Sequence, residues 1–139
     1  MENIQGITTQ TTVNAPVEKC WKLWITASDI MQWNTPSGEW HTPSAVIDPR
    51  EGGSFLFRME TKDGRVGFDH GGVYDKMIVH ELIAYTGADG RRSIIRFTPH
   101  GDTTTITETF EPEATTPLDM QRWFCAAVLD TFKRYAEAG

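Results

Sequence analysis

Ile7, Thr9, Thr11 and Val13 alternate with Thr8, Gln10 and Thr12, which is the two-residue period of a strand with one covered face. The run stops at Asn14-Ala15-Pro16. Asn14 suits a helix cap and Pro16 a first helical turn, and Val17, Cys20, Trp21 and Trp24 then recur at helical spacing. Ser28 is a second candidate cap, ahead of an apolar turn of Ile30, Met31 and Trp33, and the breaker-rich stretch Asn34 to Pro43 reads as a loop. Beyond it, strand and turn signals follow at intervals of roughly ten residues, the rhythm of an antiparallel meander. Strands are expected at Ala45 to Asp48, Ser54 to Thr61, Arg65 to Met77, Glu81 to Thr86, Ser93 to Pro99 and Thr103 to Glu111. Glu51-Gly52-Gly53, Asp63-Gly64, Asp89-Gly90 and Gly101-Asp102 supply turn backbone that tolerates positive φ.

The longest helical signal is the last, Leu118 to Ala138, with Thr116 as cap and Pro117 in the first turn. At 100° per residue, Leu118, Met120, Phe124, Cys125, Val128, Leu129, Phe132 and Tyr135 share one broad arc, opposite Asp119, Arg122, Asp130, Lys133 and Glu137. Such a stripe needs a large surface to cover it. The order strand, two short helices, six strands, long helix has one natural solution: an α+β fold in which a curved antiparallel sheet of six to seven strands wraps the final helix.

The chain has 139 residues, enough for one domain, 1–139, and too few for two. Five Trp, three Tyr and seven Phe are a heavy aromatic load for that length, so something is built around rings. A net charge of -6 offers no basic face to nucleic-acid phosphates or anionic lipid, and neither is an expected partner. Cys20 and Cys125 fit neither a zinc spacing nor a disulfide framework, and Met1 to Gln10 is polar, unlike a signal peptide or membrane span. The expected location is the cytoplasm.

Several segments match a known family in order and spacing: Ala15-Pro16-Val17-Glu18-Lys19 with Trp21, Gln32-Trp33-Asn34, Glu39-Trp40-His41-Thr42-Pro43 and Gly52-Gly53-Ser54-Phe55. They continue with Met59 to Gly64, Gly67-Phe68-Asp69, Gly72-Val73-Tyr74-Asp75, Asp89-Gly90-Arg91 and Phe110-Glu111-Pro112-Glu113. On these the chain resembles the helix-grip superfamily of START and birch-pollen-allergen-like domains (SRPBCC). The nearest branch is the bacterial one named after the activator of the heat-shock protein 90 ATPase. The resemblance implies a helix-grip fold and a cavity between sheet and helix that holds an apolar ligand. It departs from the branch at His70, where an aromatic is usual, and at Phe124-Cys125, where a Gly-Trp pair is usual. The eukaryotic cochaperone's separate N-terminal domain has no counterpart here, so chaperone binding is a minor expectation.

Candidate walls of the cavity are Trp33, Trp40, Phe55, Phe57, Phe68, Tyr74, Phe97, Phe124 and Val128, with His70 and Glu108 as polar anchors. Glu108 falls between Ile106 and Phe110 on a face where alternation calls for an apolar residue, so a carboxyl points inward unless a bulge turns it out. His70 shares parity with Phe68 and Tyr74; the opposite parity puts Asp69 and Val73 inside. Arg58 and Glu60 face away from Phe57 and Met59 and read as an exposed charge pair. His41, His80 and His100 are scattered without metal-ligand spacing, and no Gly-rich loop opens a helix, so neither metal nor cofactor is expected. Three functions follow: binding of a small lipophilic or aromatic molecule, cyclase- or aromatase-type chemistry through His70, Tyr74 or Glu108, and a protein-interaction module.

Overall fold

The structure, a computed structural model, describes residues 4–138. Residues 1–3 and 139 of the expected single unit, and with them the start of the polar segment Met1 to Gln10, lie outside the described residues. In chain order the elements are β1 (Ile7–Val13), α1 (Val17–Ile25), α2 (Ala27–Trp33), β2 (Trp40–Ile47), β3 (Ser54–Thr61), β4 (Gly67–Ile78), β5 (Leu82–Gly87), β6 (Arg92–His100), β7 (Thr103–Phe110) and α3 (Leu118–Ala138). Seven antiparallel strands form one curled sheet in the order β1-β7-β6-β5-β4-β3-β2, gripping α3, with α1 and α2 following the first strand. Each of β2 to β7 pairs with its sequence neighbour, and the first strand joins the last.

Three local expectations are corrected. Asn14 does not cap α1. Pro16 is itself the capping residue, its fixed φ already suiting the helix entry, and its carbonyl accepts from Lys19 and Cys20 N–H at 3.1 Å. The Asn14 N–H instead donates to Glu137 Oε2 at 2.8 Å, tying the end of β1 to the end of α3. Ser28 lies inside α2, whose capping residue is Thr26; the Thr26 hydroxyl is committed to the Lys22 carbonyl at 2.6 Å. The stretch expected as loop up to Pro43 already contains the start of β2 at Trp40. Its alternation is broken by a bulge between His41 and Ser44, where the Thr42 hydroxyl turns inward to donate to the Asn34 carbonyl at 2.7 Å.

The core has a sealed end built on rings. Phe132 of α3 is fully buried, its centroid 5.0 Å from Trp24 and 4.9 Å from Trp33, while Trp24 and Trp33 lie 4.6 Å apart. Phe97 of β6 meets Trp21 and Trp24 edge-on at 5.3 and 5.7 Å. Trp33 satisfies its one donor by giving its indole N–H to the Leu23 carbonyl at 2.9 Å. Leu129 and Ala136 are buried beside Phe132, whereas Leu118, Met120 and Trp123, at the start of the same helix, are 59%, 59% and 58% exposed. The apolar arc expected to pack over the whole helix therefore does so only in its second half; Leu118 and Met120 face solvent. Along its length α3 is held to edge strand β1 by Arg122 donating to the Thr8 carbonyl and Lys133 to the Thr12 carbonyl, at 2.9 and 2.8 Å. Those contacts also occupy acceptors that an open sheet edge would offer to another chain.

Phe132→Ala is expected to cost about 3–5 kcal/mol, because a ring between two indoles leaves a cavity the indoles cannot close. Trp123→Ala, at an exposed position, should change stability by no more than about 0.5 kcal/mol. Urea denaturation of both variants, read as midpoint and slope, checks the contrast.

Candidate functional site

Antiparallel register sets which side chains share the concave face. One row across the sheet runs Thr9, Glu108, Ile95, Ile83; the next runs Ile7, Phe110, Ser93, Tyr85, Tyr74. Glu108 keeps its parity without a bulge on β7, so its carboxyl lies on the inner face between Thr9 and Ile95. On β4, His70, Gly72 and Tyr74 also point inward, and Asp69 and Val73 are exposed on the outer face. Gly72 has no room for a side chain: a Cβ would run into the Thr86 carbonyl. The bare strip it leaves lies opposite Phe55, whose ring contacts His70 and Tyr74 on either side, at 5.3 and 5.1 Å.

The candidate residues separate into three groups. Trp33 and Phe97 belong to the aromatic end around Phe132. Phe55, Phe57, His70 and Tyr74 form one cluster with Tyr85, whose ring lies 4.9 Å from Phe55. Trp40, Phe68 and Phe124 form another, with Trp40 5.6 Å from Phe124 and 6.0 Å from Phe68; Phe68 is 40% exposed, so this cluster sits at an edge. Phe124, Cys125 and Val128 are on the sheet-facing side of α3 and yet only half-buried, as are His70 and Glu108 on the sheet. An open cleft of about 220 Å³ lined by Ile78, Glu81, Leu82, Arg96, Phe97 and Thr98 takes in only Phe97 of the candidates.

Two polar stations interrupt the aromatic lining. At the first, Tyr85 Oη lies 3.2 Å from His70 Nε2, and Ser93 hydrogen-bonds the same phenol. Burial, reinforced by the charge of Arg91 and opposed by Asp89, holds His70 down to about 4, so the imidazole is neutral at physiological pH. Burial keeps Tyr74 and Tyr85 protonated, and in Tyr85 the Glu108 charge adds to it. At the second station, Cys125 Sγ lies 3.1 Å from Thr9 Oγ1 and hydrogen-bonds Glu108. Burial pushes Glu108 up to about 7, opposed by the Cys125 bond. Cys125 is itself pushed up, by burial first and then by the Glu108 charge, so it is a thiol and a poor nucleophile. Glu108 is thus the group poised to exchange a proton near neutrality.

Thr9, Tyr85, Ser93 and Cys125 are site residues the sequence reading did not single out. Tyr85 and Ser93 were within reach of the parity argument, since they alternate with Ile83 and Ile95. Cys125 was expected to pack inward as a small apolar residue, and only its position over β1 and β7 reveals the partners. Outside the sheet, Arg58 bonds Glu60 at 3.0 Å on its own strand and reaches Asp69 across to β4, while His41 joins Glu60 at 3.3 Å. The expected pair is therefore a four-residue surface network. Among the described residues no three His, Cys, Asp or Glu side chains converge as a metal site requires, and no helix is long and apolar enough to cross a membrane.

The raised Glu108 pKa carries a stability signature. The folded state holds the proton up to about pH 7, whereas the unfolded chain loses it near 4.5, so this group's contribution is complete below 4.5 and is lost as pH rises through 7. His70 acts oppositely, its contribution growing from pH 4 to 6.5, but it is common to wild type and a Glu108→Gln variant. The difference in thermal midpoint between Glu108→Gln and wild type is expected to rise from pH 4.5 to 7 and level off above, measured by calorimetry.

Residues 14–137 match the family described as activator of Hsp90 ATPase homolog 1-like protein. Among solved structures, a Cytophaga hutchinsonii protein determined in solution is 47% identical with a TM-score of 0.82, covering 96% of this chain and 92% of that one. The AHSA1-like protein of Aeromonas hydrophila, also determined in solution, is 30% identical with a TM-score of 0.85, covering 95% and 93%. A Nitrosomonas europaea protein at 14% identity shares the fold, with a TM-score of 0.81 over 95% and 94% of the two chains. No match to a curated protein is found. With its family match spanning nearly every element from α1 to α3, and relatives of this identity over almost their full length, the chain belongs to the activator of Hsp90 ATPase homolog 1-like family of the SRPBCC superfamily.

Proposed function

We propose that this protein binds a small aromatic or otherwise lipophilic molecule between the inner face of the sheet and the first half of α3. The observation that carries the reading is half-burial in the wrong place for a filled core: Phe124, Cys125, Val128, His70 and Glu108 all face inward and all remain partly accessible. A solid interface buries such residues completely, as it does Leu129 and Phe132 one and two turns further along. The fold commonly houses hydrophobic ligands, and aromatic walls with a few converging polar groups are the usual make-up of small-molecule sites. The bacterial cytoplasm is the compartment that fits best: both cysteines are free thiols, and the relatives of known structure are bacterial. A net charge of -6 argues against nucleic acid as the partner.

A second reading has one specific observation in its favour. Glu108, poised near 7 and bonded to a neutral thiol, is matched to acid–base exchange with a carbonyl or enol substrate in the same space. Under that reading Glu108→Gln abolishes turnover while binding persists; unchanged turnover removes it.

For the binding reading, native mass spectrometry of the purified chain is expected to retain a lipophile, or a thermal-shift screen of aromatic compounds to find one. A ligand at a hundredfold its dissociation constant adds about 2.7 kcal/mol. Val128→Trp, which fills the space, should lose that stabilisation while keeping the wild-type circular dichroism spectrum. A chain that carries nothing and is stabilised by none of the screened compounds overturns the proposal.

A further inference from the structure

Resting on that reading of the cavity, we infer that its ligand is a lipophilic amine whose ammonium group pairs with the Glu108 carboxylate, rather than a fatty acid or other organic anion. The argument begins from what Glu108 lacks. The influences on it are burial and the Cys125 thiol, and neither carries positive charge. It is the register partner of Thr9 on β1 and of Ile95 on β6, the Tyr85 phenol of β5 feels its charge, and the Cys125 thiol of α3 hydrogen-bonds it. Neither inner row through Glu108 and Tyr85 contains a Lys or Arg. His70, the nearest candidate cation beyond Tyr85, is held neutral. A carboxylate has about four acceptor positions, and a single thiol is a weak donor to one of them.

A buried carboxylate is ordinarily paired or else neutralised. Here the missing counter-ion is left for the ligand to supply. The surroundings suit that arrangement: aromatic faces carry the negative side of their quadrupole toward a cation, and Tyr85 stands close enough to Glu108 to feel its charge. The overall charge of -6 raises the local concentration of cations and opposes anions. An organic anion meets an uncompensated carboxylate instead, which is a built-in rejection. Proton linkage follows from the same pairing. The amine binds only the ionised carboxylate, so its apparent affinity scales with the fraction of Glu108 that is deprotonated in the free protein.

Three probes of one shape separate the alternatives by isothermal titration calorimetry on the full chain: 1-naphthylmethylamine, 1-naphthalenemethanol and 1-naphthoate. At pH 8 the amine is expected to bind at least about tenfold more tightly than the alcohol, and the naphthoate not to bind. Between pH 8 and pH 6 the amine's affinity falls by up to about tenfold while the alcohol's stays level. In Glu108→Gln the amine and the alcohol bind with equal affinity, so the amine's preference is lost. Equal binding of amine and alcohol by the wild type at pH 8, or an amine preference that survives Glu108→Gln or does not change with pH, overturns the inference while leaving the cavity reading in place. If neither amine nor alcohol binds at either pH, the cavity reading falls and the inference falls with it. The pH comparison uses wild-type protein alone and stands even if the variant fails to fold.

Discussion

Phe132, wedged between Trp24 and Trp33, is the contact on which the arrangement of the molecule turns. It fixes the second half of α3 against α1 and α2, and the rings of Trp21 and Phe97 extend the same cluster into the sheet. With one end of a 21-residue helix anchored there, the other end does not have to pack for the domain to be stable. Its lateral position is set separately, by Arg122 and Lys133 on the edge carbonyls of β1. The apolar stabilisation of the helix is concentrated where Leu129, Phe132 and Ala136 are buried, and the first turns are free to leave space over the concave sheet. A domain of this size has limited core to spend, and concentrating it at one end would make tolerable the hollow that the binding proposal places at the other.

The polar residues of that inner face would be costly in a filled core. Glu108 resists ionisation because its surroundings do not solvate it, and Tyr85, Tyr74 and Cys125 resist for the same reason. Hydrogen bonds within the lining meet part of the demand: Tyr85 with His70 and Ser93, Cys125 with Thr9 and Glu108. They do not saturate the carboxyl. Stability and site chemistry therefore pull in opposite directions at Glu108, a tension characteristic of groups placed for binding or proton transfer.

Much of the architecture was readable from periodicity. The strand Ser54 to Thr61 and the helix Leu118 to Ala138 stand at their expected bounds, one through its alternation and the other because Pro117, rather than Thr116, opens it, its carbonyl accepting from Met120 and Gln121 N–H. The start of β2 was unreadable because Pro43 and the bulge beside it break the alternation that would announce a strand. Caps failed for a different reason: Asn14 and Ser28 have suitable side chains, but Pro16 and Thr26 occupy the positions where the backbone enters the helices. Parity tied His70 to Tyr74 but left open which face they share; the structure turns both inward, and Glu108 with them because β7 has no bulge there. Parity could not tell which inward rings are buried, as Trp33, Phe55, Phe57, Tyr74 and Phe97 are, and which stay half-buried, as Phe124 does. That distinction depends on how far α3 stands from each strand, a quantity fixed by packing at the Phe132 end and carried by no local run of residues.

The resemblance to the family and the chemistry of this chain come from different positions. The family match runs from residue 14 to residue 137, across the curled sheet and the grip of α3. The two positions expected to depart from the branch, His70 and the Phe124-Cys125 pair, each put a hydrogen-bonding partner on the inner face: His70 against Tyr85 and Cys125 against Glu108. With a ring in place of His70, Tyr85 would keep only Ser93 as a partner. With a Trp in place of Cys125, an indole would stand over Glu108 and Thr9, where the thiol now lies 3.1 Å from the Thr9 hydroxyl. The shared fold therefore sets the curled sheet and its helix, while the chemistry of the inner face depends on this chain's own side chains.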